Sequence, residues 1–138
     1  MRKIVRLISI LILVFSFSCE DKGYFVQCSD CTADEPVTAE LYADLDPDHY
    51  YGCLVQIWEG NLEDSILIGD YPTYNRTFTR EVIINKKYTI TATYYISNDR
   101  YIAVDAATPR VRYEKSMCDN PCYYLYDKKC DLRLKYTH

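Results

Sequence analysis

Tyr88-Thr89-Ile90-Thr91-Ala92-Thr93-Tyr94-Tyr95-Ile96 alternates residue by residue. Tyr88, Ile90, Ala92, Tyr94 and Ile96 form one set, and Thr89, Thr91, Thr93, Tyr95 and Ser97 form the other. Successive side chains of a strand point to opposite faces, so this period of two predicts a half-buried antiparallel strand. Threonine and tyrosine suit the solvent side of such a strand, being β-branched or aromatic. No window of helical length carries a comparable 3.6-residue period.

The same signature extends in both directions. Val37, Ala39, Leu41 and Ala43 alternate with more polar positions, and Cys53, Val55 and Ile57 alternate with Leu54, Gln56 and Trp58. Further strands are expected at Ser65–Ile68, Val82–Ile84, Arg100–Ala106, Cys122–Tyr126 and Cys130–Tyr136. Turn residues separate them at Asp46-Pro47-Asp48, Glu59-Gly60-Asn61, Asn85-Lys86-Lys87, Asn98-Asp99 and Asp127-Lys128-Lys129. Eight or so short strands at this spacing predict an all-β chain, a single antiparallel β-sandwich of immunoglobulin-like or transthyretin-like type spanning residues 37–138.

The start of the chain reads differently. Arg2, Lys3 and Arg6 precede an apolar run from Leu7 to Phe17 that is too short to span a bilayer and suits a signal-peptide core. Ser16-Phe17-Ser18-Cys19 closes it like a bacterial lipobox. Residues 1–18 are therefore expected to be a lipoprotein signal peptide. Cys19 is expected to be the lipidated residue and the chain's link to a membrane, and residues 19–36 the tether. Lipidation also accounts for the odd member of seven cysteines. Without the leader, Lys plus Arg falls from 16 to 13 against 20 Asp plus Glu, a net charge of −7. That balance argues against a nucleic-acid partner.

Six cysteines remain: Cys28, Cys31, Cys53, Cys118, Cys122 and Cys130. Cys28-Ser29-Asp30-Cys31 and Cys118-Asp119-Asn120-Pro121-Cys122 could supply four thiolates to zinc or form disulfides. An exported protein meets oxidising conditions, so disulfides and no bound metal are expected. Of the possible connectivities, the expected one joins Cys53 to Cys130, each in or beside a strand. The two close pairs would then link to each other, pinning the N-terminal segment beside the loop before the last hairpin. Two local loops, Cys28–Cys31 and Cys118–Cys122, are the rival.

Signals for chemistry are sparse. Asp44, Asp46, Asp48 and His49 have a D-x-D-x-D spacing, but His49 and Val55 stand where a calcium loop needs Gly and Glu. No nucleophile elbow, zinc-protease helix motif or phosphate-binding glycine loop occurs. No catalytic residue and no cofactor are assigned, and a non-enzymatic role is expected. Fifteen tyrosines and one tryptophan are many for this length. Tyr50-Tyr51, Tyr94-Tyr95 and Tyr123-Tyr124 should each put one ring on either face of a strand. Outward rings at Trp58, Tyr95 and Tyr124 are the candidate surface for a glycan or protein ligand.

Several stretches together resemble a family of small, uncharacterised Bacteroidetes lipoproteins. They are the lipobox at Cys19, the two cysteine pairs, Ile57-Trp58-Glu59-Gly60 with Glu63-Asp64, Tyr88-Thr89-Ile90-Thr91-Ala92, Ala103-Val104-Asp105 and Asp131-Leu132-Arg133-Leu134-Lys135. The acidic Glu20-Asp21 after Cys19 is similar to the export signals of surface lipoproteins in that group. The resemblance implies an outer-membrane lipoprotein, periplasmic or surface-exposed, and carries over an architecture and a location only. It also implies that Cys53 and Cys130 are additions to the family's paired cysteines, a second reason to join them to each other.

Overall fold

The computed structural model describes residues 27–48, 50–64 and 66–135. Residues 1–18, where a signal peptide is expected, and Cys19, His49, Ser65 and Tyr136 lie outside the described residues. Among the described residues nine strands form: β1 (Thr38–Asp44), β2 (Cys53–Glu59), β3 (Ile66–Thr73), β4 (Thr77–Ile83), β5 (Tyr88–Ile96), β6 (Asp99–Ala107), β7 (Arg110–Glu114), β8 (Cys122–Tyr126) and β9 (Lys129–Asp131). They make a three-stranded sheet β4-β1-β9, a four-stranded sheet β3-β2-β5-β6 and a two-stranded hairpin β7-β8. Every pairing is antiparallel except β1 with β9, which is parallel. No α-helix occurs among the described residues, and none of their segments is a helix long and apolar enough to cross a membrane.

The two larger sheets face each other across one core. Leu41 and Ala43 of β1, Val82 of β4 and Cys130 of β9 pack against Val55 and Ile57 of β2 and against Tyr88, Ile90, Ala92 and Tyr94 of β5. Each set takes every second residue of its strand, so the alternation in the sequence is the alternation between core and surface.

β5 departs from its expected half-burial. Thr89, Thr91 and Thr93 are buried along with the core-facing set. β5 is a central strand, and the register explains the burial. Leu54 and Ile102 flank Thr93, Gln56 and Val104 flank Thr91, and Trp58 and Ala106 flank Thr89. Larger side chains on both neighbours shade Thr91 and Thr93 from water, and Trp58 on one side shades Thr89. Thr89 Oγ1 donates to the Gly60 carbonyl at 2.7 Å, which satisfies one of the buried hydroxyls.

Two connections also differ from the sequence reading. Asn85-Lys86-Lys87 joins β4 to β5 as a turn, but it carries the chain from one sheet to the other. Cys122–Tyr126 and the segment after Lys129 are not a hairpin with each other. β8 pairs with Arg110–Glu114, a strand that the sequence reading missed, while β9 is only three residues long and joins β1.

β6 runs through Thr108-Pro109 into β7, and β8 runs through Asp127-Lys128 into β9. The β7-β8 hairpin therefore continues from the end of the sandwich where β1 begins. The N-terminal segment is bound to this hairpin. Thr32 and Tyr123 exchange two backbone hydrogen bonds of 2.9 and 2.8 Å. Cys28 is bonded to Cys118 and Cys31 to Cys122. The two close pairs are thus linked to each other, as expected, and the local-loop rival does not form.

The expected Cys53–Cys130 bond is absent, and both thiols are free and buried. Cys53 sits in β2 of one sheet and Cys130 in β9 of the other, each as a small apolar residue of the core. Burial pushes the Cys53 thiol up to about 11 and the Cys130 thiol up to about 12. Both stay protonated and shielded, so neither is a nucleophile at neutral pH. Folded Cys19→Ser protein is expected to show no thiol that reacts rapidly with an aromatic disulfide reagent at about pH 8, and two after denaturation. Native reactivity of either thiol, or only disulfide-bonded cysteine in the denatured chain, would contradict this assignment.

Candidate functional site

β1, β3 and β5 end, and β2, β4 and β6 begin, at the end of the sandwich opposite the hairpin. The loops between them and the segment after β9 form an apex. Asp48 shapes the first loop. Its Oδ1 accepts hydrogen bonds from the backbone N–H groups of Tyr50 at 2.8 Å and Tyr51 at 3.1 Å. The chain then reverses at Gly52, whose N–H bonds to the Asp48 carbonyl at 3.0 Å. Gly52 has φ of +64°, and a Cβ there would lie 2.6 Å from the Thr73 carbonyl oxygen and 3.1 Å from the Tyr74 ring. Glycine lets this loop sit directly against the β3–β4 turn.

This tight reversal turns both tyrosines outward. Tyr50 and Tyr51 were expected to occupy opposite faces of a strand. They lie in a turn instead and are 81% and 75% exposed. Tyr74 is 68% exposed across Gly52, and Tyr95, one residue before the end of β5, is 52% exposed. Tyr51 and Tyr95 line a shallow cavity of about 680 Å³ with Asp48, Ile96, Ser97 and Asn98. Ser97 and Asn98 have φ of +50° and +76°, so the tight β5–β6 turn holds a hydroxyl and a carboxamide beside the rings. Two tyrosine rings, an amide, a hydroxyl and a carboxylate give a surface suited to stacking on a flat ligand face and hydrogen bonding at its rim.

A second concavity adjoins it. Asp46, Pro47, Asp48, Arg76, Tyr94, Ile96 and Leu134 line about 460 Å³. Tyr94 holds it together from inside the core. Its hydroxyl donates to the Leu132 carbonyl at 2.7 Å and accepts from the Asp46 N–H at 3.2 Å. Burial pushes the phenol up to about 12. Two ion pairs lie at this end. Lys129 Nζ lies 2.9 Å from Asp44 Oδ2. Arg133 grips Asp131 with two side-chain bonds of 2.8 and 2.9 Å, which hold that carboxyl well below the usual carboxylate range. Asp44, Asp46 and Asp48 are thus spread over an ion pair, a backbone contact and a turn cap rather than converging on one point.

The sequence-derived ligand residues separate here. Tyr95 is at the apex and exposed. Tyr124 is buried on β8 at the other end, a correction to its assignment as an outward ring. Alternation places Tyr123 and Tyr124 on opposite faces, and Tyr124 takes the buried one, its ring 5.9 Å from that of Tyr126. Trp58 is on the outer face of the four-stranded sheet and half-buried, with an indole Nε1 that has no hydrogen-bond partner. Tyr74 escaped the sequence reading and Tyr51 was assigned to a strand because both lie in loops, where period-two alternation carries no information. The turn signal Asp46-Pro47-Asp48 followed by Gly52 marked the place.

No protein-family model, curated protein or solved structure matches this chain.

Proposed function

We propose that the protein is a non-catalytic binding module, tethered through a lipid on Cys19 to the outer membrane of a Bacteroidetes-type envelope, and that its apex binds a glycan. The observation that carries this reading is the gathering of exposed Tyr50, Tyr51, Tyr74 and Tyr95 at the end of the sandwich opposite the hairpin. Exposed aromatic rings keep apolar area in water without burying it on folding, and a pyranose face recovers that cost by stacking. Asp48, Ser97 and Asn98 supply the polar rim that a saccharide's hydroxyls need. The tether supports the same reading. It enters at the stapled hairpin, so the tyrosines point away from the anchored end.

A second reading, an accessory subunit of an envelope assembly, draws on edge strand β6. Ile102 and Val104 are half-exposed there, beside unpaired strand backbone that could accept a partner strand.

The test is an array of envelope and cell-surface glycans probed with wild-type protein and the Tyr51→Ala/Tyr95→Ala variant. Each stacked ring removed should cost about 1–2 kcal/mol, so the double variant should bind at least 30-fold more weakly while melting at the wild-type temperature. Wild-type protein that binds no glycan, or a double variant that binds equally well, would refute the reading.

A further inference from the structure

The cysteines that staple the N-terminal segment to the hairpin meet a second requirement. We infer that Cys28, Cys31, Cys118 and Cys122, when reduced, form a tetrathiolate site for one divalent ion of the zinc class. The same four residues are then a covalent staple when oxidised and a metal site when reduced. Two residues separate Cys28 from Cys31 and three separate Cys118 from Cys122, both within the ligand spacing of structural zinc sites.

The geometry agrees. The Sγ atoms of Cys31 and Cys118 are not bonded to each other, yet they lie 4.0 Å apart. Those of Cys31, Cys118 and Cys122 all lie within 4.8 Å of one another. Tetrahedral coordination with Zn–S of about 2.3 Å separates sulfurs by about 3.8 Å. The Cys31–Cys118 contact is already near that spacing, and Cys28, bonded to Cys118 beside this group of three, has to swing toward Cys31 and Cys122 on reduction to complete it.

Backbone hydrogen bonds hold the cluster beside the sulfur bonds. The paired Thr32 and Tyr123 fix Cys31 and Cys122 from adjacent positions. A 3₁₀ turn at Cys28–Asp30 presents Cys28, and the β7–β8 ladder ends at Cys122. Cys28 is exposed, Cys31 and Cys118 are half-buried and Cys122 is buried, so an ion has an entry side and a closed side. The remaining thiols, Cys53 and Cys130, are in the core and are not part of this cluster.

The chemistry balances with a phosphine as the reductant. Each disulfide with one phosphine and one water gives two thiols and one phosphine oxide. Binding of the ion by four thiols then releases four protons.

Cys19→Ser protein reduced with a water-soluble phosphine under argon, and titrated with Co²⁺ followed by Zn²⁺, tests the inference. One Co²⁺ per chain is expected, with sulfur-to-cobalt charge transfer in the near ultraviolet and the strong visible bands of tetrahedral cobalt, and one Zn²⁺ should abolish both. The oxidised chain should show neither, and reduced Cys31→Ser/Cys118→Ser should lose at least tenfold in affinity. If that variant does not fold, the melting temperature of the reduced parent decides, because it should rise with Zn²⁺ and not with Mg²⁺. Absence of the cobalt bands in the reduced chain, equal bands in the oxidised chain, undiminished binding by the folded variant, or no zinc-dependent rise would each overturn the inference.

Discussion

Removing both disulfides should lower the stability of the domain by about 6–7 kcal/mol and its melting temperature by about 25 °C. The cross-links join residues 90 and 91 positions apart, so they close almost the whole domain into a loop in the unfolded chain. In the chain-entropy model a loop of that length accounts for about 4–5 kcal/mol. The second bond closes only a short additional loop once the first is in place. Removal of Cys28–Cys118 or Cys31–Cys122 alone should therefore cost about 2 kcal/mol, less than half the double effect. Thermal melts of the oxidised protein, the two single-disulfide variants and the fully reduced protein check this order. A single removal as damaging as the double would mean that the bonds act through local native packing rather than through the unfolded chain. The effect is large because the domain is small, and about 6–7 kcal/mol is a large part of the stability such a domain has.

Truncation of Tyr94 should also be damaging. The ring is 1% exposed in the centre of the core, and its hydroxyl ties the Asp46 loop to the segment after β9. Tyr94→Ala should cost about 3–5 kcal/mol from the cavity alone. Tyr94→Phe keeps the ring and leaves the buried Leu132 carbonyl and the Asp46 N–H without this partner, which should cost about 1–3 kcal/mol. Chemical denaturation of both variants separates the contributions. An unchanged midpoint for Tyr94→Phe would show that water replaces the hydroxyl.

The same residue makes the fold alkali-sensitive together with the two core thiols. All three have native pKa values raised by burial, to about 11 for Cys53 and about 12 for Cys130 and Tyr94. A raised value means that the unfolded chain loses its protons first. The protonated core is fully stabilising below about pH 8.5, where unfolded cysteine begins to ionise, and its contribution is lost as pH rises toward 11–12. Denaturation midpoints should fall across that window.

The strands were legible where one face meets the core. β1, β2 and β5 follow the alternation of Leu41 and Ala43, of Val55 and Ile57, and of Ile90, Ala92 and Tyr94. Arg110-Val111-Arg112-Tyr113-Glu114 was missed because the hairpin lies outside that core, so its residues carry no strong apolar period. That the two close cysteine pairs link to each other was expected because a cross-link closing a long loop stabilises more than a local one, but which cysteine joins which was not legible. The state of Cys53 and Cys130 was not legible either, because a cysteine in a core strand and a cysteine in a disulfide look alike in sequence. Tyr95 was found from its parity on β5. Tyr51 and Tyr74 depend on how Gly52 folds one loop against another, a tertiary contact that local patterning does not encode.

The account turns on the apex as the ligand face, and amide chemical-shift mapping with pooled neutral saccharides at millimolar concentration tests it most directly. Perturbations confined to Asp48, Tyr50–Gly52, Tyr74 and Tyr95–Asn98 are the predicted result. Shifts centred on Trp58 and β6, shifts centred on the stapled hairpin, or no shifts at all would contradict it.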